Sequence, residues 1–238
     1  MLCRLLLAYL IVFHASLSLY PLHSPSRWPY SPIFAAGFAA KKPKPRKAKR
    51  ATQHKGFGKA PPTIDEQIAA FNTRKPRKGA ESRPCPCRQM EPDSTITYAD
   101  CCMPLHDGAR LPMTPTEVLR SRYSAFAWRI IGYLIKTTHP TCGDYMENKI
   151  QWAKGLDDYG MFDNHQFKGL TILGDEEPGK DENESYLEFQ VHLLEDPSDA
   201  KPQGAPSIVQ EKSRFIRDEQ TGMWTYASGD IKIISDDS

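Results

Sequence analysis

The chain has 238 residues and a formal net charge of +2, a small number that hides two opposed parts. From Met1 to Ile64 there are 11 Lys and Arg and no acid, which leaves 20 basic against 29 acidic residues beyond it, a net of −9. A body this acidic excludes a broad nucleic-acid-binding surface, and the basic excess is confined to the first quarter.

At the start, Arg4 and the apolar run Leu5 to Phe13 precede small residues at Ser16-Leu17-Ser18, the layout of a secretory signal peptide over residues 1–18. That run of nine residues is too short to span a bilayer, and no later stretch is long and apolar enough, so no membrane span is expected in the mature chain. Residues 19–62 are rich in Ser, Pro, Ala, Lys and Arg, the composition of an organellar transit segment. A signal followed by such a stretch, with Ile33-Phe34-Ala35-Ala36-Gly37-Phe38 inside it, resembles the bipartite plastid presequences of algae with complex plastids. A plastid address is therefore expected, with secretion and mitochondrial import as the alternatives. Lys41 to Arg50 alternates Lys with Pro and reads as a solvated linker, because it cannot bury apolar surface. The rival reading, a nucleic-acid arm, lacks an aromatic platform on which bases could stack.

Thr63-Ile64-Asp65-Glu66 is a capping-box pattern and predicts a short helix to about Asn72, with Ile64, Ile68 and Phe71 as a docking stripe. Arg74 to Gly79 then forms a basic hinge, so residues 63–84 read as helix plus hinge, with a boundary near Arg83. Next come Cys85-Pro86-Cys87 and Cys101-Cys102. Four thiols gathered this tightly suit a tetrahedral zinc ion; two disulfides or buried free thiols are the competing readings. If Cys3 leaves with the signal, five cysteines remain, an odd number that cannot all pair within the chain. His106 is read as a surface histidine that could replace one cysteine at the metal.

Thr114-Pro115-Thr116-Glu117 opens a second helix running to about Ala127, with Val118, Leu119, Tyr123 and Phe126 on its apolar stripe and Arg120 and Ser121 off it. Ile130 to Thr138 continues as a short helix ended by His139-Pro140. Beyond Gly160 the period changes to two, most clearly where Leu187, Phe189, Val191 and Leu193 alternate with polar residues. Gln166 to Leu173, Ser207 to Arg217 and Met223 to Ile234 are similar runs, separated by polar loops at Gly174 to Glu184 and Glu195 to Pro206. Helices followed by antiparallel strands predict an α+β fold.

Cys-Pro-Cys with the later Tyr98-Ala99-Asp100-Cys101-Cys102 resembles the SEC-C zinc motif. The segments that follow resemble the YchJ family: Leu119-Arg120-Ser121-Arg122-Tyr123-Ser124-Ala125-Phe126, Tyr133 to Cys142, Gly169-Leu170-Thr171, Glu211-Lys212-Ser213-Arg214-Phe215 and Gly222-Met223-Trp224-Thr225-Tyr226. The resemblance implies a nuclear transport factor 2-like (cystatin-like) cone of curved antiparallel sheet with helices across its mouth, over residues 107–238. It further implies a SEC-C-like knuckle over 85–106 that holds Zn2+ on Cys85, Cys87, Cys101 and Cys102 and faces a protein partner. The chain departs from the pattern in three places. The 13 residues from Arg88 to Asp100 make a longer loop than the SEC-C motif uses, without its glycines. Trp128 to Gly132 replaces a polar break between helices, and a single knuckle is expected because no second motif precedes Ser238.

Three functional readings follow. The first is a non-enzymatic, zinc-binding adaptor. The second is an enzyme with a small-molecule pocket in the cone, using His139 and Glu211 as an acid/base pair. The third is a secreted, disulfide-bonded protein. On a strand, Glu211, Ser213 and Phe215 share one face and Lys212 and Arg214 the other. In the plainer reading of the polar residues, Arg122 and Glu211 form a structural ion pair and His139 caps a helix C-terminus. Asn183-Glu184-Ser185 fits the N-glycosylation pattern in a polar loop.

Overall fold

The structure is a computed structural model in which residues 60–71, 73–92, 94–197 and 204–234 are described. The expected signal peptide and nearly all of the transit-like segment, including Ile33 to Phe38 and Lys41 to Arg50, lie outside these residues. Among the described residues no helix is long and apolar enough to cross a membrane.

Helix α1 (Ile64–Ala69) starts as its sequence dictates. The Thr63 hydroxyl accepts the Glu66 amide and the Glu66 carboxylate accepts the Thr63 amide. It ends three residues short of the expected Asn72, and its stripe divides: Ile68 is buried whereas Ile64 stays exposed. The hinge that follows is pinned rather than loose, since the Arg74 amide bonds the Trp128 carbonyl and its guanidinium bonds Asp163. A 3₁₀ turn (Pro86–Arg88) and the one-turn helix α2 (Met103–His106) frame the cysteines.

Helix α3 (Pro115–Ala127) is the axis of the molecule. Thr114 caps it by accepting the Glu117 amide, but the Glu117 carboxylate does not complete a box. It turns instead to the Met113 amide and to Arg110. Nine of its 13 residues are buried, including Ser121, Arg122 and Ser124, so it has no broad solvent face. A single apolar stripe could not have predicted this: the helix is covered by the sheet on one side and by the cysteine-bearing segment on the other.

The chain then breaks at Arg129, which takes a left-handed φ of +57°, before α4 (Ile131–Lys136). This strained turn is held by the buried Arg129 guanidinium, which pairs with Asp157 and Asp163. Asp157 belongs to α5 (Lys149–Asp158), a helix the sequence reading left unassigned. Asn148 caps it by accepting the Gln151 amide, and Trp152 and Ala153 bury it.

The sheet orders β1 (His165–Ile172), β3 (Glu184–Glu195), β4 (Pro206–Arg217) and β5 (Trp224–Ile234) as antiparallel neighbours, with the two-residue β2 (Glu177–Pro178) on the β1 edge of β3. Strict alternation puts Leu187, Phe189, Val191 and Leu193 of β3 on one buried face with Val209, Glu211, Ser213 and Phe215 of β4. Register shifts after Phe167 and after Arg214 mark bulges, which bend the outer strands. The α+β expectation and the four long strands hold. The ends of β1, β4 and β5 lie within one residue of the runs read from sequence, and β3 extends three residues before Leu187 and two past Leu193.

Candidate metal centre

Two chain segments bring the thiols together. Pro84 and Thr97 form an antiparallel bridge, and the Cys85 amide bonds the Ile96 carbonyl, which places Cys85 at the head of the turn that carries Cys87. Across from it, the Tyr98 carbonyl accepts the amides of Cys101 and Met103, so the backbone curls beneath Cys101 and Cys102 as α2 begins. The long connection between the pairs needs no glycine, because its reversals are made by the Glu91 amide on the Arg88 carbonyl and the Ser94 amide on the Glu91 carbonyl. An Arg88–Glu91 ion pair braces the first of these.

The four sulfurs lie within 4.8 Å of one another. Cys87 Sγ is 3.5 Å from Cys85 Sγ, 3.5 Å from Cys101 Sγ and 3.6 Å from Cys102 Sγ, and Cys101 and Cys102 are 3.8 Å apart. A tetrahedral tetrathiolate with metal–sulfur bonds of ~2.3 Å spaces its sulfurs ~3.8 Å apart, so the residues fit a metal ion. Crowding also polarises the set: its neighbours hold the Cys101 thiol far below the ordinary range and push the Cys102 and Cys87 thiols far above it. Cys101 is the one half-exposed member, with the Arg88 guanidinium beside it.

The pocket's inner wall is α3. The Ser124 hydroxyl donates to Cys102 Sγ at 3.4 Å and lies 3.6 Å from Cys85 Sγ. Arg120 bonds the Cys87 carbonyl at 3.1 Å and pairs with Glu91 at 2.8 Å. Met90 packs onto β1 where Gly169 leaves room, since a Cβ at Gly169 would overlap the Met90 side chain. Cys85, Cys87, Tyr98, Cys102 and Leu105 therefore belong to the same core as the sheet.

Comparison with known proteins sets this arrangement in a family. The family model described as the YchJ middle NTF2-like domain matches residues 114–229. The UPF0225 protein of Serratia proteamaculans is 31% identical over 145 residues, covering 61% of this chain and 81% of that protein. A UPF0225 protein of Photorhabdus laumondii is 34% identical over 145 residues, covering 61% of this chain and 79% of that protein. The chain belongs to the YchJ-like, UPF0225 family. Two solved structures are similar: a SEC-C motif containing protein from Rhodopseudomonas palustris (25% identity, TM-score 0.45, 58% of this chain and 94% of that one) and another from Psychrobacter arcticus (24%, 0.46, 63% and 82%).

Within this YchJ-like architecture the other polar candidates fall in separate places. His106 is neither a surface residue nor poised as a ligand. Its Nδ1 is 2.8 Å from the Tyr98 hydroxyl, its Nε2 is 2.9 Å from the Ser121 carbonyl, and its ring packs on Tyr133. With both nitrogens engaged it joins the knuckle to α3 as a neutral Nε2–H imidazole. The sequence could not reveal this, since Ser121 and Tyr133 reach it only through folding. Burial holds the His106 ring below its ordinary range, to about 4. Between that value and the ~6.5 of an unfolded histidine the unfolded chain binds more protons. Stability will therefore fall by ~3 kcal/mol as the pH drops from ~6.5 to ~4, and this contribution is fully present above that window. His106→Gln will lack the loss. Urea midpoints of the two proteins across that range measure it, and their difference cancels thiolate protonation.

Arg122 and Glu211 do not form the expected ion pair: no contact within salt-bridge distance joins them among the described residues. Arg122 is buried and donates from Nη1 to the Leu134 carbonyl and to the Thr137 and Thr138 hydroxyls, with its guanidinium 4.8 Å from the Tyr226 ring centre. Glu211 is only 1% exposed; Oε1 accepts from the Ser213 hydroxyl at 2.6 Å and Oε2 has no partner. His139 does not cap a helix through its ring. It is half-buried, with Nδ1 bound to Thr141, and its own amide bonds the Tyr226 carbonyl. It lines a 480 Å³ groove with Ile64, Ile68, Asp218 and Met223, and Glu211 is not among that groove's walls. Arg214, on the opposite face from Glu211 as expected, pairs with the buried Glu184. The Asn183 carboxamide accepts from Arg217 and donates to Glu219, so the nitrogen that would carry a glycan is engaged.

Proposed function

We propose that this protein is a non-enzymatic, zinc-binding interaction protein in which a SEC-C-like knuckle is fastened to an NTF2-like domain. The observation that carries the reading is the sulfur geometry: four thiols from two segments at the spacing of a closed tetrahedral site. Closed four-sulfur sites are structural, whereas catalytic zinc keeps one position open for water or substrate. Thiolate-only coordination favours zinc among the metals that prefer soft ligands and tetrahedral geometry. The four cysteines are the proposed ligands, and zinc supplies charge and a fixed geometry there, not a reaction.

The knuckle's outer side is the proposed partner surface. Met90 and Ile96 are exposed there. Arg83, Pro84, Pro86 and Trp128, with the Arg88–Glu91 ion pair in the wall, line an open groove of 650 Å³ that suits an extended apolar peptide. Metal analysis of the purified protein tests the central claim. One zinc per chain, with Cys85, Cys87, Cys101 and Cys102 gaining reactivity toward alkylation when a chelator is added and the buried Cys142 unaffected by it, is the expected result. No metal and a thiol reactivity that the chelator does not change would overturn it. The plastid address is proposed from composition alone. Terminal sequencing of the protein from its cells should find the mature start near Thr63, and an intact Met1 would exclude both import and secretion by cleavage.

A further inference from the structure

A tetrathiolate zinc centre carries two net negative charges, and burying them requires donors aimed at the sulfurs. Three of the four cysteines are buried, which removes water as that donor. The hydroxyl of Ser124 is the side-chain donor the helix supplies. It is fully buried, 3.4 Å from Cys102 Sγ and 3.6 Å from Cys85 Sγ, and it touches one thiol from each of the two segments that meet at the site. A helical serine ordinarily turns its hydroxyl back to a carbonyl one turn earlier, as Ser121 does toward Glu117. Ser124 points at sulfur instead.

We propose that Ser124 is a positioning residue for the metal centre, donating to the Cys102 thiolate beside Cys85 and tying metal occupancy to the packing of α3 against the sheet. The inference rests on the metal reading above. Donation to sulfur draws electron density from the thiolate, which lowers its energy, stabilises the anionic centre and fixes its orientation. Because the donor belongs to α3 and not to the knuckle, the charge of the centre is balanced by a group anchored in the sheet-packed helix.

Ser121 provides the control. It is also fully buried on α3, and its hydroxyl bonds Tyr133 and the Glu117 carbonyl and no sulfur. Ser121→Ala and Ser124→Ala thus remove the same atom from one helix at neighbouring turns. The test loads the full chain with cobalt(II) as a spectroscopic probe and measures its affinity by competition with a chelator. In Ser124→Ala the sulfur-to-cobalt charge-transfer band is expected to move to longer wavelength, with affinity weakened ~10-fold or more. Ser121→Ala is expected to leave both unchanged while lowering thermal stability to a similar degree. A Ser124→Ala protein with the wild-type band and affinity, or a Ser121→Ala protein altered equally, would overturn the role of Ser124 while leaving the metal site standing. A wild-type chain with no sulfur-to-cobalt band would overturn both.

Discussion

Stripping the metal will lower the melting temperature of the whole protein by at least ~10 °C, rather than loosen one end of it. The expectation comes from where the thiols sit. Cys85, Cys87 and Cys102 share a core with Tyr98, Leu119, Tyr123 and the strands, so loss of the metal would leave crowded thiols, three of them buried, with only weak sulfur hydrogen bonds in its place. Structural zinc sites contribute ~10 kcal/mol in small peptides; half of that, at ~2–4 °C per kcal/mol for a domain of this size, gives ~10–20 °C. The single substitutions should rank by burial. Cys102→Ser removes a buried ligand that touches Cys87, Cys101 and Ser124, and is expected to match chelation. Cys101→Ser should cost less, because water can reach that half-exposed position and complete the metal's coordination. Cys142→Ser, at a buried thiol outside the cluster, should leave metal content at wild type. Calorimetry with and without chelator measures the first effect and metal content the ranking. A melting temperature that ignores both chelator and Cys102→Ser would remove the structural role.

Glu211→Gln will make the protein more stable than wild type above neutral pH, although it replaces the most deeply buried acid of the sheet. Burial raises the carboxyl's pKa, and the Ser213 and Tyr226 hydroxyls and Arg122 only partly oppose this. An acid whose folded pKa lies above its unfolded 4.5 keeps its full stability contribution below that value and loses it as the pH rises toward the folded pKa. Wild type must either hold a proton there or bury a charge; the amide does neither. It can still accept from Ser213. Urea unfolding from pH 5 to 9 should show the two proteins converging at the acid end and separating as pH rises. Glu211→Ala should be worse than Glu211→Gln by ~3 kcal/mol at every pH, because it leaves a cavity and strands the Ser213 hydroxyl, and its gap to wild type should narrow as pH rises. Parallel wild-type and Gln curves would mean that the carboxyl is ionised in the fold.

How far these features could be read in advance depended on the range of the interactions that set them. The strands were legible because period-two alternation is local, and Leu187 to Leu193 carries it without interruption. The thiol cluster was legible because its two pairs announce themselves by spacing. Helix α5 was not, since only Trp152 and Ala153 are buried along it and Gly155 interrupts the pattern. Ser121, Arg122 and Ser124 could not be assigned because a one-face reading of α3 leaves no place for a second covering layer. His106 looked like a surface residue for the same reason: both of its partners depend on how the knuckle docks. The misread residues are concentrated where knuckle and sheet meet, which is where sequence-local rules carry least information.

The shared core has a consequence for how this architecture can be cut and joined. The knuckle has no hydrophobic interior of its own; its lid is Ser124 and Arg120 on one side and the groove at Gly169 on the other. A fragment of residues 85–106 moved into another protein would carry the ligands without the surfaces that orient them. Conversely, a flexible insertion between His106 and Thr114 would separate ligands from lid by chain entropy alone. The thiols and the sheet are thus one inheritable unit, and any lineage that lost the cysteines would have to refill the space above α3 with apolar side chains.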